Sequence, residues 1–196
     1  MINIAVEGES DREMASAVAR EAGKSVNKVR VAGGKTRLDP LIPKYNNASA
    51  QTPWVVFRDS DSRCPVSLRA ELGAQISRWN ASFSLRVAHT MSEAWLLADA
   101  EAFSSYFAVS RARVPVDPEA LPHATRTLLA LCADSRSAAI RRDVTASGGA
   151  IGPLFVSRIN DFASTVWRPA LAVGRSDSLR RAVNRIRELD SSRSVD

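Results

Sequence analysis

The 196-residue sequence predicts an α/β fold: a mainly parallel sheet of four or five strands, helices on both faces and an α-helical insertion. Three observations predict it. Ile2-Asn3-Ile4-Ala5-Val6 and Trp54-Val55-Val56-Phe57 are short, β-branched and nearly all apolar, as strands covered on both faces are. Segments of helical periodicity alternate with such runs through the first half of the chain. Both runs also stop abruptly at acids, Glu7-Gly8-Glu9-Ser10-Asp11 and Asp59-Ser60-Asp61, and the carboxyl ends of parallel strands are where open α/β sheets place their chemistry.

Element by element, the first strand covers residues 2–6. Ser10 followed three residues later by Glu13 has capping-box spacing. A helix is therefore expected to about Glu21, with Met14, Ala17, Val18 and Ala22 inward and Gly23 as its stop. A second strand follows at residues 27–31. The helix expected over residues 37–46 is short or irregular because of Pro40 and Pro43. Pro53 introduces the third strand at 54–57, and a helix is expected over 66–79. Alternation of Phe83, Leu85 and Val87 gives a fourth strand over 82–88, and residues 91–99 return to helical spacing. Residues 1–99 thus form the α/β core. Residues 100–150 read as a helical insertion or cap, punctuated by Pro115, Pro118 and Pro122 and closed by Gly148-Gly149. Residues 151–190 complete the same domain, with a helix over 155–166, a last strand at 169–173 and a final helix capped by Ser176 or Ser178. Residues 191–196 are expected to be frayed.

Composition narrows the function classes. Net charge is +6 with an isoelectric point near 10.0, and of 27 basic residues only Lys24, Lys28, Lys35 and Lys44 are lysines. Arginine favours bidentate phosphate contacts, which suits a nucleic-acid partner, although an arginine-rich genome would give the same bias. Cys64 and Cys132 have no metal-ligand spacing and fit a reducing compartment. No apolar run approaches the ~18 residues of a membrane span, and no leader pattern opens the chain. The expectation is a soluble cytoplasmic protein without a membrane partner.

The acids are the candidate chemistry. Glu7 and Asp11 stand at the end of the first strand and in the first turn of the following helix. In a strand alternate residues share a face, so Asp59-x-Asp61 is expected to deliver two carboxylates to one point. Glu93 follows the fourth strand closely enough to reach the same rim. Carboxylates converging there repel one another, which calls for a hard divalent cation with oxygen ligands, Mg²⁺ or Mn²⁺. Lys35, Arg37 and Arg63 are candidate phosphate contacts near the acids. Arg180 and Arg181, at a predicted helix N-terminus, form a second anion-binding candidate. Gly34-Lys35-Thr36 is not a phosphate-binding loop of an NTPase, because Val29 occupies the position of the required first glycine. His89 reads as a core histidine or a general base.

Glu7-Gly8 after one strand and Asp59-Ser60-Asp61 after another resemble the toprim domain shared by topoisomerases, primases and overcoming-lysogenization-defect nucleases. The Glu7-x-x-x-Asp11 spacing resembles the nuclease branch, where such a pair helps hold a second metal. Ser92-Glu93-Ala94-Trp95-Leu96-Leu97-Ala98-Asp99 is similar to a signature of small stand-alone toprim-like proteins. Ile151-Gly152-Pro153, Trp167-Arg168-Pro169-Ala170-Leu171-Ala172 and Ser176-Asp177-Ser178-Leu179-Arg180-Arg181 are similar to that group's C-terminal pattern. The resemblance covers most of the chain outside residues 100–150. It implies a toprim-like (Rossmann-like) sheet, Glu7 as general acid/base or ligand, and Asp11, Asp59, Asp61 and Glu93 as metal ligands.

The combined expectation is a metal-dependent nuclease acting on DNA or RNA in defence against mobile elements. Two alternatives come from other classes. One is a non-catalytic nucleic-acid- or protein-binding half of a defence pair. The other is a nucleotide-sugar transferase using Asp-x-Asp to hold a metal–diphosphate.

Overall fold

In the computed structural model, which describes residues 1–189, the first strand, β1 (Ile2–Val6), is buried along its whole length. It lies between β2 (Val26–Val31) and β3 (Trp54–Asp59), and β3 in turn pairs with β4 (Phe83–Ala88). All these pairings are parallel, and the four-stranded sheet has the order β2-β1-β3-β4. The fold is thus mixed α/β, a parallel sheet flanked by helices.

Side-chain alternation assigns each strand residue to one of two cores. Ile2, Ile4, Val6, Val55 and Phe57 enter the larger core, while Ala5, Trp54, Val56, Phe83 and Leu85 enter the smaller one. The smaller core is closed by α2 (Lys35–Leu38) and α3 (Ile42–Ala48), through Leu38 and Ile42, and by Leu72 of α4 (Pro65–Leu72). Against the opposite face packs α1 (Arg12–Glu21), which buries Met14, Ala15, Val18 and Ala19. Right-handed crossovers require this division, since the β1-to-β2 connection moves one way along the sheet and the next two move the other way.

The larger core continues through α5 (Ser92–Ala98), α6 (Ala100–Tyr106), α7 (Ala124–Ala133) and α8 (Ala138–Val144). A small antiparallel hairpin follows, β5 (Thr145–Ala146) and β6 (Ala150–Ile151), so the stretch expected to be wholly helical ends in a turn at Gly148-Gly149. The chain closes with α9 (Phe155–Thr165), α10 (Pro169–Ala172) and α11 (Asp177–Arg187). Phe103, Phe107 and Phe162 meet at ring-centroid distances of 4.6 to 5.9 Å, joining α6 to α9. Residues 100–150 therefore share one hydrophobic core with α1 and the sheet.

Two expected elements are different. The last strand at 169–173 is a helical turn instead, with Pro169 at its first position, where a missing N–H costs nothing. The helix expected over 66–79 stops at Leu72. Trp79 folds back so closely on Gly73 that a Cβ there would sit 2.4 Å from its ring, and it stacks on Phe83. Pro40 and Pro43 break the 37–46 segment into α2, a 3₁₀ turn at Asp39–Leu41 and α3. Ser10 does not cap α1 as expected; a 3₁₀ turn at Glu9–Asp11 leads into it. The tail at 191–196 lies outside the described residues. Among the described residues no helix is long and apolar enough to cross a membrane.

A shared core has a measurable consequence. Phe103→Ala is expected to cost about 3–5 kcal/mol. In urea, tryptophan fluorescence and far-UV circular dichroism should lose their signals in one coincident transition, at lower midpoint than wild type. Two separated transitions would mean that residues 100–150 fold as a unit of their own.

Candidate functional site

The site forms where β1 and β3 end side by side. Because β1 and β3 are adjacent and parallel, Glu7 and Asp59 leave the same sheet edge. The Asp59 N–H donates to Glu7 Oε1 at 2.9 Å, pinning the first acid across the strand boundary. Asp11 folds back over the 3₁₀ turn, its Oδ2 accepting from the Gly8 N–H at 2.9 Å. Ser92, the first residue of α5, then joins two acids. Its hydroxyl donates to Asp11 Oδ1 at 2.8 Å and its N–H donates to Asp59 Oδ1 at 2.9 Å. Glu93 follows directly and is only 8% exposed.

Asp61 stands apart from Asp59. The strand ends at Asp59, and Asp61 takes a left-handed backbone conformation (φ 49°), so strand alternation does not extend to it. Its Oδ2 accepts from Lys35 Nζ at 2.8 Å and Arg58 Nη1 at 3.0 Å. Arg58 points to the opposite face of β3 from Asp59 and is 4% exposed. Its guanidinium also bonds Glu7 Oε1 at 2.9 Å, Asp39 Oδ1 at 2.9 Å and the carbonyl of Asp59. The acids thus divide into two groups that share Glu7. On one side Glu7, Asp39 and Asp61 gather on Arg58. On the other, Asp11 and Asp59 are held by neutral donors and Glu93 is buried beside them, with no cation within ion-pair distance among the described residues.

Titration reflects this division. Burial pushes Asp11 upward despite its bonds from Gly8 and Ser92. Burial, then the charges of Asp11, Glu93 and Glu7, push Asp59 well above the ordinary carboxylate range. Burial and the nearby Asp11 push Glu93 up to about 7. Glu7 is also raised, burial outweighing the Asp59 N–H and Arg58. Asp61 goes the other way: burial acts to raise it, but Lys35 and Arg58 together hold it below its usual value. Oxygen donors carrying uncompensated charge suit a hard divalent cation. Among the described residues, however, no three His, Cys, Asp or Glu side chains are grouped tightly enough to enclose one.

Of the basic candidates, Lys35 touches the acids. Arg37 lies over Gly33, and Arg63 pairs with Glu71 on the surface. Arg180 and Arg181 pair with Asp177 on α11. His89 is half-buried, with its backbone N–H bonded to Ser178 Oγ. Asp39 and the bridging role of Ser92 had no sequence signal beyond an acid before Pro40 and a serine beside Glu93.

No protein-family model and no curated protein matches the chain. Among solved structures, the C-terminal region of the OLD protein of Xanthomonas campestris pv. campestris is similar at a TM-score of 0.42 and 18% identity, over 95% of this chain and 94% of that one.

Stability should report the unpaired acids. An acid whose folded-state pKa is raised keeps its proton where the unfolded chain has lost it, so rising pH penalises the folded state. For Glu93 the penalty begins near its ordinary value of 4.5 and is complete above about 7. In EDTA the protein is expected to melt several degrees higher at pH 5 than at pH 7.5, and Glu93→Gln to flatten that slope. Calorimetry at both pH values checks it; equal slopes for the two proteins would count against a buried, unpaired Glu93.

Proposed function

We propose that the chain is a divalent-metal-dependent nuclease that cleaves DNA or RNA, with Mg²⁺ or Mn²⁺ bound at the rim beside Asp11, Asp59 and Glu93, in part through its own waters. The observation that carries this reading is the set of three carboxylates, Glu93 buried and Asp11 and Asp59 half-buried, without a cationic partner among the described residues and delivered by three separate chain segments to one sheet edge. Because they form no closed cage, an ion there would keep part of its water shell, as Mg²⁺ commonly does. When bound, it would neutralise a phosphate oxygen and acidify a water.

The chain's own residues supply the rest. Glu7 Oε1 is fixed by the Asp59 N–H and Arg58, so its carboxylate is oriented to accept a proton from the attacking water through its other oxygen. Ser92 sets the orientation of Asp11 and Asp59 together. Lys35, half-exposed at the rim and steadied by Asp61, offers a positive charge to the phosphate backbone. Asp61 acts through Lys35 and Arg58 in this scheme. A nucleotide-sugar clamp needs Asp59 and Asp61 to converge, and they do not. A nuclease of this kind fits service in defence against mobile elements.

The test is cleavage of labelled single-stranded DNA, duplex DNA and tRNA with Mg²⁺ or Mn²⁺. EDTA should abolish it. Ser92→Ala should lower the rate about 10- to 100-fold, as loss of a partner behind a metal ligand does, and Asp59→Ala should lower it further. No cleavage of any substrate with either metal, or wild-type rates in Asp59→Ala, would overturn the proposal.

A further inference from the structure

On the other side of β4 from β3, a cavity of about 380 Å³ opens between α4 and α11 along the sheet edge. Three arginines from three elements line it: Arg69 of α4, Arg86 of β4 and Arg181 of α11. Arg86 is the unusual one. Its side chain bonds the carbonyl of its own neighbour Leu85, at 2.8 Å, and no carboxylate pairs with it among the described residues. Glu188, whose charge reaches it, is bonded instead to Arg185 at 2.9 Å. Burial, followed by the charges of Arg69 and Arg185, pulls the Arg86 pKa down to about 10.

The acids lining the cavity are already engaged. Glu119 accepts from Ser176 Oγ at 2.6 Å, the Asp177 N–H at 3.1 Å and the Ser178 N–H at 3.0 Å, so its charge is spent on the start of α11. Asp177 pairs with Arg180 and, at 2.6 Å, with Arg181. Arg69 lies over the Trp79 ring at 4.7 Å and makes no ion pair among the described residues. The remaining wall is apolar, formed by Pro65, Val66, Leu85, Val87 and Ala182. An uncompensated, part-buried guanidinium is costly, and a doubly charged anion that accepts forked hydrogen bonds relieves it better than a carboxylate does.

We propose that this cavity binds a phosphate ester, with the phosphate on Arg86, Arg69 and Arg181 and the organic group against the apolar wall. The site is separate from the acid cluster and goes beyond the nuclease reading. It is also near it: the cavity-lining His89 follows Ala88, which is the register partner of Asp59. A free mononucleotide and the terminal 5′-phosphate of a strand carry the same chemistry.

Calorimetric titration in EDTA tests it, with adenosine 5′-monophosphate, a 5′-phosphorylated single-stranded oligonucleotide and inorganic phosphate as separate probes. Wild type should bind the nucleotide or the oligonucleotide more tightly than phosphate. Arg86→Met should weaken that binding by about tenfold or more, while melting without ligand at the wild-type temperature or above, because a buried unpaired charge is gone. Arg181→Gln, a change at an exposed position, should weaken binding in the same direction. Binding of the oligonucleotide alone assigns the site to a strand; equal binding of the mononucleotide assigns it to free nucleotides. No binding by wild type, or unchanged affinity in both variants, overturns the proposal, and phosphate binding as tightly as the nucleotide overturns the organic contact. Asp59→Ala should keep nucleotide binding while losing cleavage, so the two proposals fail independently.

Discussion

With β1 and β3 adjacent and parallel, the chain must leave both strands at one edge and turn in opposite directions from there. The connection from β1 passes over one face and the connection from β3 over the other, which opens a crevice between them. Glu7 and Asp59 stand at its lip, and the bond from the Asp59 N–H to Glu7 holds them in register. The remaining parts of the site are arranged around that boundary. Asp11 reaches it from the turn after β1, Ser92 and Glu93 from the helix after β4, and Lys35 and Asp39 from the segment after β2.

Charge is distributed unevenly across the sheet. On the smaller-core side, Arg58 satisfies three carboxylates at once and is itself nearly buried. On the larger-core side, Asp11 and Asp59 are half-buried against hydroxyl and amide donors alone, with Glu93 buried beside them. A fold selected only for stability would have no reason to keep the second arrangement, because each anion there costs free energy that its hydrogen bonds recover only in part. The asymmetry distinguishes a tethering cluster, gathered on Arg58, from one whose charges no cation offsets among the described residues.

Much of this was legible in the sequence because the relevant signals are local. Apolar runs that end at acids mark strands and their functional ends directly, and β1, β3 and the placement of Glu7, Asp11, Asp59 and Glu93 follow from them. Asp61 was legible as an acid of the same rim but not in its direction, since alternation is a property of strands and the strand stops two residues earlier. The segment at 169–173 shows the matching limit: four apolar residues behind a proline fit a strand or a helical turn equally, and packing decides. The end of α4 depends on Trp79 returning to Gly73 and Phe83, a contact that no local pattern encodes. Arg58 alternates into the second face like any strand residue, but its partners come from 19 and 51 positions away.

The two cores also differ in when they can be completed. Every residue of the smaller one, from Ala5 to Val87, is made before the middle of the sequence is reached. The larger one needs Ala182, Val183, Ile186 and Leu189, at the far end, to cover the face that begins with Ile2 and Ile4. During synthesis the sheet can therefore close on α2 and α3 while its other face, with α1 already in place, stays incompletely covered until α11 emerges. That face, which carries the unpaired acids, is the last to be sealed and the one most exposed to association with other nascent chains. The polarity of translation thus sets an order of assembly in which the scaffold precedes the site.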